Sequence, residues 1–405
     1  MKYLKREITE DLNEYRKYFP VLLISGARQV GKSTLALHLN IENYVTLDDI
    51  NIYTMAKNDP KSFIDKLEKP VIIDEAQRLP QLMITIKEYI DKKRINGEFI
   101  LTGSASLKGF KDISDSLAGR IGIVELYPFS LKEKYGKDEN IIDVLHGDLD
   151  DFVLKQYNSS DIDVDIINGG YPEILKIDSQ KAKYLWFSSY IRTYIESDAR
   201  ELANIRNIDK FINLYRLCMI RSGNIFNKNE LQKEAGVDNR TFDSYFAVME
   251  HTYQIQKLQP FFRNHLKRLI KSPKIYATDT GVLNHLLQIN SKELLDASHY
   301  RGNIIETFIF NELIKGNTSA LKKAGLFYYG TTDKKEIDFI LEFGQRVVAI
   351  EVKASKSVSQ KMFKHIYSLQ KEIPELFDKG IVFYGGDDFL KIDDNMYAIP
   401  FGFLG

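Results

Sequence analysis

The sequence predicts an α/β protein of roughly two to three domains, led by a parallel sheet that carries a phosphate-binding loop. Three observations carry this prediction. An apolar run at 21–24 opens directly into 26–33, Gly-Ala-Arg-Gln-Val-Gly-Lys-Ser, which fits G-x-x-x-x-G-K-[ST]. A second apolar run at 71–73 ends in the acid pair Asp74 and Glu75. Near the C-terminus, two strand-like runs at 336–341 and 346–353 bring in Asp338 and the triplet Glu351, Val352, Lys353.

Composition bounds the rest. Hydrophobic residues make up 44% of the 405 and charged residues 28%, the usage of an ordinary globular chain with material for more than one core. Lys plus Arg and Asp plus Glu number 56 each, so no global basic field speaks for nucleic acid and any such contact must be local. The single cysteine, Cys218, excludes an intrachain disulfide and a multi-cysteine zinc site. The N-terminal segment has no apolar core of a signal peptide, and no run approaches the ~18 apolar residues of a membrane span. A cytoplasmic protein with no membrane partner is expected.

Taken in order, residues 1–19 read as an amphipathic helix before the first strand. In the loop, Gly26 and Gly31 allow a tight turn whose backbone N–H groups face phosphate oxygens. Ala27, Arg28, Gln29 and Val30 supply the intervening amides, and Thr34 continues the turn into a helix whose N-terminal end adds positive potential. Lys32 is placed to reach the β- and γ-phosphates and Ser33 to offer its hydroxyl to Mg²⁺. Residues 44–49 read as a second strand ending in Asp48 and Asp49, either a solvated strand end or an approach to nucleotide. Asp74 is expected to hold Mg²⁺ through its water shell, with Glu75 polarising the attacking water. The run 99–104 is a further strand, ending in Thr102, Gly103 and Ser104. Thr102 or Ser104 is a candidate contact to the γ-phosphate or the water, against the plain alternative of a strand running into a turn. Arg120 follows, then a strand from 121 to 126.

These segments resemble the AAA-type P-loop ATPase family of archaea and bacteria, in which the ATPase is joined to a C-terminal domain of unknown function. The resemblance implies ATP and Mg²⁺ as cofactors and a parallel-sheet ATPase core over 1–130. Arg120, right after the 99–104 strand, is either a solvated surface charge or an arginine finger completing the site from a neighbouring subunit, the second reading going with a homo-oligomer.

Residues 131–222 read as a helical lid and linker. Residues 229–235 and 239–250 read as two helices around a turn at 236–238, and 254–262 alternates as a wing strand would, which defines a winged-helix domain over 223–285. A basic stretch at 257–274 (Lys257, Arg263, His265, Lys267, Arg268, Lys271, Lys274) suits a DNA or RNA backbone. Against this, Asp238, Asp243 and Glu250 on the second helix oppose it, and such modules also serve in packing.

From 286 to 405 the reading is a C-terminal α/β domain. A helix bearing Glu306 precedes strands carrying Asp338 and Glu351. Strand period two puts Glu351 and Lys353 on one face. The order Glu, Asp, Glu-x-Lys resembles the restriction-endonuclease-like (PD-(D/E)xK) fold. That resemblance implies Glu306, Asp338 and Glu351 as metal ligands and Asp338, Glu351 and Lys353 as catalytic groups for phosphodiester cleavage. The alternative is a salt-bridged site on a fold without catalysis. Two functions therefore stand side by side: an ATPase gating a nucleic-acid-processing domain, and an ATP-driven switch or scaffold whose inert C-terminal domain grips a protein partner.

Overall fold

Five short strands build the first sheet: β1 (Val21–Ser25), β2 (Asn43–Thr46), β3 (Val71–Asp74), β4 (Phe99–Gly103) and β5 (Ile121–Glu125). The computed structural model describes residues 3–104, 117–150, 162–195, 205, 207–262, 271–331 and 335–404. All neighbouring strands of this sheet pair in parallel, in the order β2-β3-β4-β1-β5. β1, β3 and β4 are buried at every position, as the Val/Ile/Leu runs of central parallel strands require, while β2 at the edge is half-buried throughout. Leu23, Ile73, Phe99 and Leu101 join Leu82, Met83 and Ile86 of the Leu82–Lys92 helix in one core.

Parallel strands place all their C-terminal ends on one edge. Ser25 pairs with Gly103, and Ile73 pairs with Leu101, so Asp74 comes to lie beside Thr102. The second strand is shorter than the expected 44–49. Asp49 leaves it because its carboxylate caps the Ile50–Asn58 helix, accepting from the N–H groups of Asn51 (2.8 Å) and Ile52 (3.2 Å). Asp48 pairs with Arg78. Neither acid is committed to a nucleotide. The expected N-terminal helix spans Thr9–Tyr18.

By contacts the chain forms two units. Of the described residues, one holds those within 1–128 and 246–254; the other holds those within 129–197, 205–245 and 255–405. The expected segments 131–222, 223–285 and 286–405 thus fall for the most part in one unit. The Lys228–Ala235 helix ends at Gly236 in the left-handed region (φ 63°), and a turn leads to the Asn239–His251 helix, capped by Asp238 through the Thr241 N–H at 2.9 Å. β6 (Asn224–Ile225), β7 (Ile255–Leu258) and β8 (Lys274–Ala277) form an antiparallel sheet in the order β6-β8-β7.

The Arg301–Ser319 helix precedes a mixed sheet of β9 (Gly325–Gly330), β10 (Glu336–Phe343), β11 (Arg346–Lys353), β12 (Phe377–Tyr384), β13 (Leu390–Asp393) and β14 (Met396–Pro400). Their order is β13-β14-β12-β11-β10-β9. β10 and β11 make the expected hairpin, whereas β11, β12 and β14 run parallel. The chain leaving β7 continues against β9: the Phe261 N–H donates to the Tyr328 carbonyl at 2.6 Å, and the Tyr328 N–H to that of Gln259 at 3.0 Å. The small sheet and the large one are thereby stitched along one edge.

Ile73 is fully buried at the centre of the first core. Ile73→Ala is expected to destabilise the first unit by about 2–5 kcal/mol through lost transfer energy and a residual cavity. The check is urea unfolding followed by circular dichroism, where the transition of this unit moves to lower denaturant.

Candidate functional site

The loop after β1 takes its shape from three backbone demands. Gly26 (φ 153°) lies so close to the chain after β5 that a Cβ there would strike the carbonyl oxygen of Leu126. Gln29 (φ 62°) and Gly31 (φ 97°) also take positive φ, and the Lys32–Leu37 helix begins directly after. The Lys32 ammonium is buried and donates to the carbonyls of Gly26 (3.0 Å) and Ala27 (2.8 Å). The loop is fastened from outside by Arg6, a buried residue that sequence reasoning missed. Its guanidinium donates to the Val30 carbonyl at 2.9 Å and to the Tyr127 carbonyl at 2.6 Å.

Asp74, at the end of β3, is brought to the loop by the sheet. Its Oδ1 accepts from the Ser33 hydroxyl at 3.0 Å and from the Thr102 hydroxyl, and its Oδ2 accepts from the Tyr44 hydroxyl at 2.7 Å. Burial, then the bond to Asp74, pushes the Tyr44 phenol above its ordinary value. Glu75 follows in the left-handed region (φ 54°), a strained backbone for a glutamate that turns its side chain out of the strand's alternation. The Thr102 hydroxyl also accepts the Glu75 N–H at 3.2 Å. Gln77 donates to the Glu75 carboxylate and, at 3.0 Å, to the Ser104 hydroxyl. Thr102 and Ser104 thus hold Asp74, Glu75 and Gln77 in place. Tyr44 and Gln77 escaped the sequence reading. Gln77, an amide two residues beyond the acid pair, was the more legible of the two.

The donor set fits a hard divalent cation: the Ser33 hydroxyl and the Asp74 carboxylate stand side by side, 3.0 Å apart. Arg120 lies elsewhere. Its carbonyl accepts the Val21 N–H at the start of β1, so it sits at the N-terminal edge of the sheet, about 13 Å of strand away from the loop. Its guanidinium pairs with Asp91 at 2.7 Å. Near the loop, the buried Tyr253 contributes instead: its hydroxyl shares a 2.8 Å hydrogen bond with Ser25 and donates to Glu125 at 3.1 Å.

In the second unit, Phe339 pairs with Ile350, which sets Asp338 opposite Glu351. Asp338 accepts the Val352 N–H at 2.8 Å, and Lys353 pairs with Glu351 at 2.5 Å. Glu306 reaches the same place from its helix, but there it meets Lys274, whose ammonium is 2.9 Å from Glu306, 2.5 Å from Glu336 and 3.8 Å from Asp338. The three acids expected as metal ligands are together, yet each is engaged by a lysine or a backbone N–H. Among the described residues no group of three or more His, Cys, Asp or Glu side chains is arranged to hold a metal ion. Burial, then the charge of Asp338, pushes Glu351 up to about 8 and Glu306 up to about 7. Lys274 is 1% exposed, so it drops out of the basic surface expected over 257–274. Lys257 and Lys271 of that stretch are exposed, while 263–270 lie outside the described residues.

The first unit joins a parallel five-stranded sheet, a glycine-turned loop after β1 and an acid at the end of β3 that reaches the loop's Ser33. Residues 18–135 match the AAA domain family. Residues 160–293 and 301–404 match two families described as domains of unknown function, DUF8612 and DUF4143. An uncharacterized protein of Mycobacterium tuberculosis is 27% identical over 385 residues, which cover 94% of this chain and 80% of that one. One of Methanocaldococcus jannaschii is 24% identical over 94% of this chain and 86% of its own. Among solved structures, the Walker-type ATPase of Pyrococcus abyssi is similar over 70% of this chain and 96% of its own, at 17% identity and a TM-score of 0.45. Among the described residues no helix is long and apolar enough to cross a membrane.

The raised Glu351 pKa has a stability consequence. From its ordinary 4.5 up to about 8, the folded chain keeps a proton that the unfolded chain has lost, so this group's contribution is full at low pH and declines as pH rises through that window. Glu351→Gln is expected to flatten the fall in the second unit's thermal midpoint between about pH 5 and 8. Wild-type and variant melts compared across that range check it; parallel pH curves would remove Glu351 from the effect.

Proposed function

We propose that the chain binds ATP with Mg²⁺ on the 26–34 loop and hydrolyses it. The observation that carries this reading is the 3.0 Å hydrogen bond between Ser33 and Asp74, which sets the hydroxyl of the 26–34 loop against the acid that ends β3, across the intervening β4. Ser33 and Asp74 hold the Mg²⁺, whose charge offsets that of the phosphate oxygens. Lys32 exchanges the carbonyls of Gly26 and Ala27 for the β- and γ-phosphates, and the loop amides of Ala27 to Thr34 cradle them. Glu75 orients the attacking water and takes its proton, with its carboxylate steadied by Gln77 and its backbone by Thr102. Ser104 acts through Gln77. Arg120, at the far edge of its own sheet, serves as a finger only toward a second copy of the chain, which makes the active form a homo-oligomer.

For the second unit the lysine-paired acids favour the switch reading over phosphodiester cleavage. The nucleotide state governs a module that grips a protein partner, and a nucleic-acid backbone along Lys257 and Lys271 is the rival occupant. Cleavage or gel retardation of DNA or RNA by the purified chain would favour that rival.

Lys32→Ala is expected to abolish ATP binding in a fluorescent-nucleotide titration. Glu75→Gln is expected to keep binding while kcat falls about 10²- to 10⁴-fold, the usual contribution of a positioned general base. Chelation of Mg²⁺ with EDTA stops turnover in the wild type. Unchanged turnover in Glu75→Gln would remove that residue from the role, and undiminished binding in Lys32→Ala would overturn the site itself.

A further inference from the structure

The Lys274 side chain is a buried cation in a place where the resemblance stated for the C-terminal domain implies a metal. β8 alternates, so Lys274 and Tyr276 project from one face, both toward Glu306. Glu306 Oε1 accepts from Lys274 at 2.9 Å and from the Tyr276 hydroxyl at 2.6 Å. Lys274 also contacts Glu336 at 2.5 Å and lies 3.8 Å from Asp338 Oδ1. The other Asp338 oxygen takes the Val352 N–H at 2.8 Å. A magnesium-like ion needs oxygens at about 2.0–2.1 Å. Any ion shared by Glu306 and Asp338 would therefore overlap the ammonium, which repels it by charge as well as by volume. The lysine is 1% exposed, and its strand is paired on both edges, through Leu258 on one side and Ile225 on the other, so its backbone is fixed and its ammonium is shut off from solvent.

We propose that the Lys274 ammonium is the resident cation of this cluster and keeps divalent metal out of it. The C-terminal acids then serve as a clamp that holds β8 to the Arg301–Ser319 helix and to β10. The inference stands apart from the ATPase reading, since none of its groups lies in the phosphate loop.

The test is a Mn²⁺ titration of the nucleotide-free full-length chain, with free ion followed by electron paramagnetic resonance. Wild type and Asp338→Asn are expected to give the same curve. Lys274→Met keeps the stem and removes the charge; it is expected to gain about one bound Mn²⁺ per chain, lost again in Lys274→Met/Asp338→Asn. A folded Lys274→Met that binds no more Mn²⁺ than wild type overturns the proposal. So does a wild-type site that Asp338→Asn abolishes. That second arm uses no Lys274 variant and decides the matter even where Lys274→Met fails to fold.

Discussion

Everything in the first unit that bears on chemistry is referred to one carboxylate. Asp74 ends a fully buried strand, and a charged group there is costly unless its oxygens are occupied. Three hydroxyls occupy them: Ser33 from the phosphate loop, Thr102 from β4 and Tyr44 from β2. Hydroxyls differ from lysines in this role, because they satisfy the acid without cancelling its charge. The site therefore keeps a carboxylate beside the loop that carries Ser33 and Lys32.

Two of the buried lysines, Lys32 and Lys274, make an instructive contrast. Lys32 donates to two neutral carbonyls of its own loop. Those acceptors carry no net charge, so each bond is charge-assisted on the donor side only. Lys274 is spent on carboxylates, and burial strengthens that attraction by thinning the solvent around it. Breaking it would leave an uncompensated buried charge, at a cost of several kcal/mol. One lysine bonds neutral oxygens of its own loop; the other meets its counter-charges inside the fold.

The legible parts of the sequence were those in which a local pattern fixes the chemistry. The loop, the strand ending in Asp74 and Glu75, and the β10–β11 hairpin are short-range features that period and motif identify directly. The illegible parts depend on distant partners. Nothing local tells that Tyr44, on an edge strand, will aim its hydroxyl at Asp74, or that Arg6 will brace a loop from the N-terminal segment. Asp49 had two readings, strand end or nucleotide contact, and helix capping decided it because the orphan N–H groups of Asn51 and Ile52 compete for the same oxygen. Lys274 was the instructive error. It falls in a run of basic residues that reads as surface, yet strand alternation turned it inward to acids supplied from Glu306 onward. Composition counts charges; only topology says which of them meet.

The loop's rigidity has a structural source that the motif itself does not contain. Its glycine at 26 is pressed against the Leu126 carbonyl, and Leu126 in turn donates to the Ser25 carbonyl at 2.7 Å. Arg6 ties the loop carbonyl of Val30 to that of Tyr127 in the same stretch of chain. Tyr253 closes the base by bonding Ser25 and Glu125, the last residues of β1 and β5. These contacts converge on adjacent residues, 124–127, so the loop is clamped against one neighbour strand rather than left to fold around its ligand. A loop fixed in this way needs little ordering before it can take a ligand, so less of any binding energy is lost to immobilising the chain.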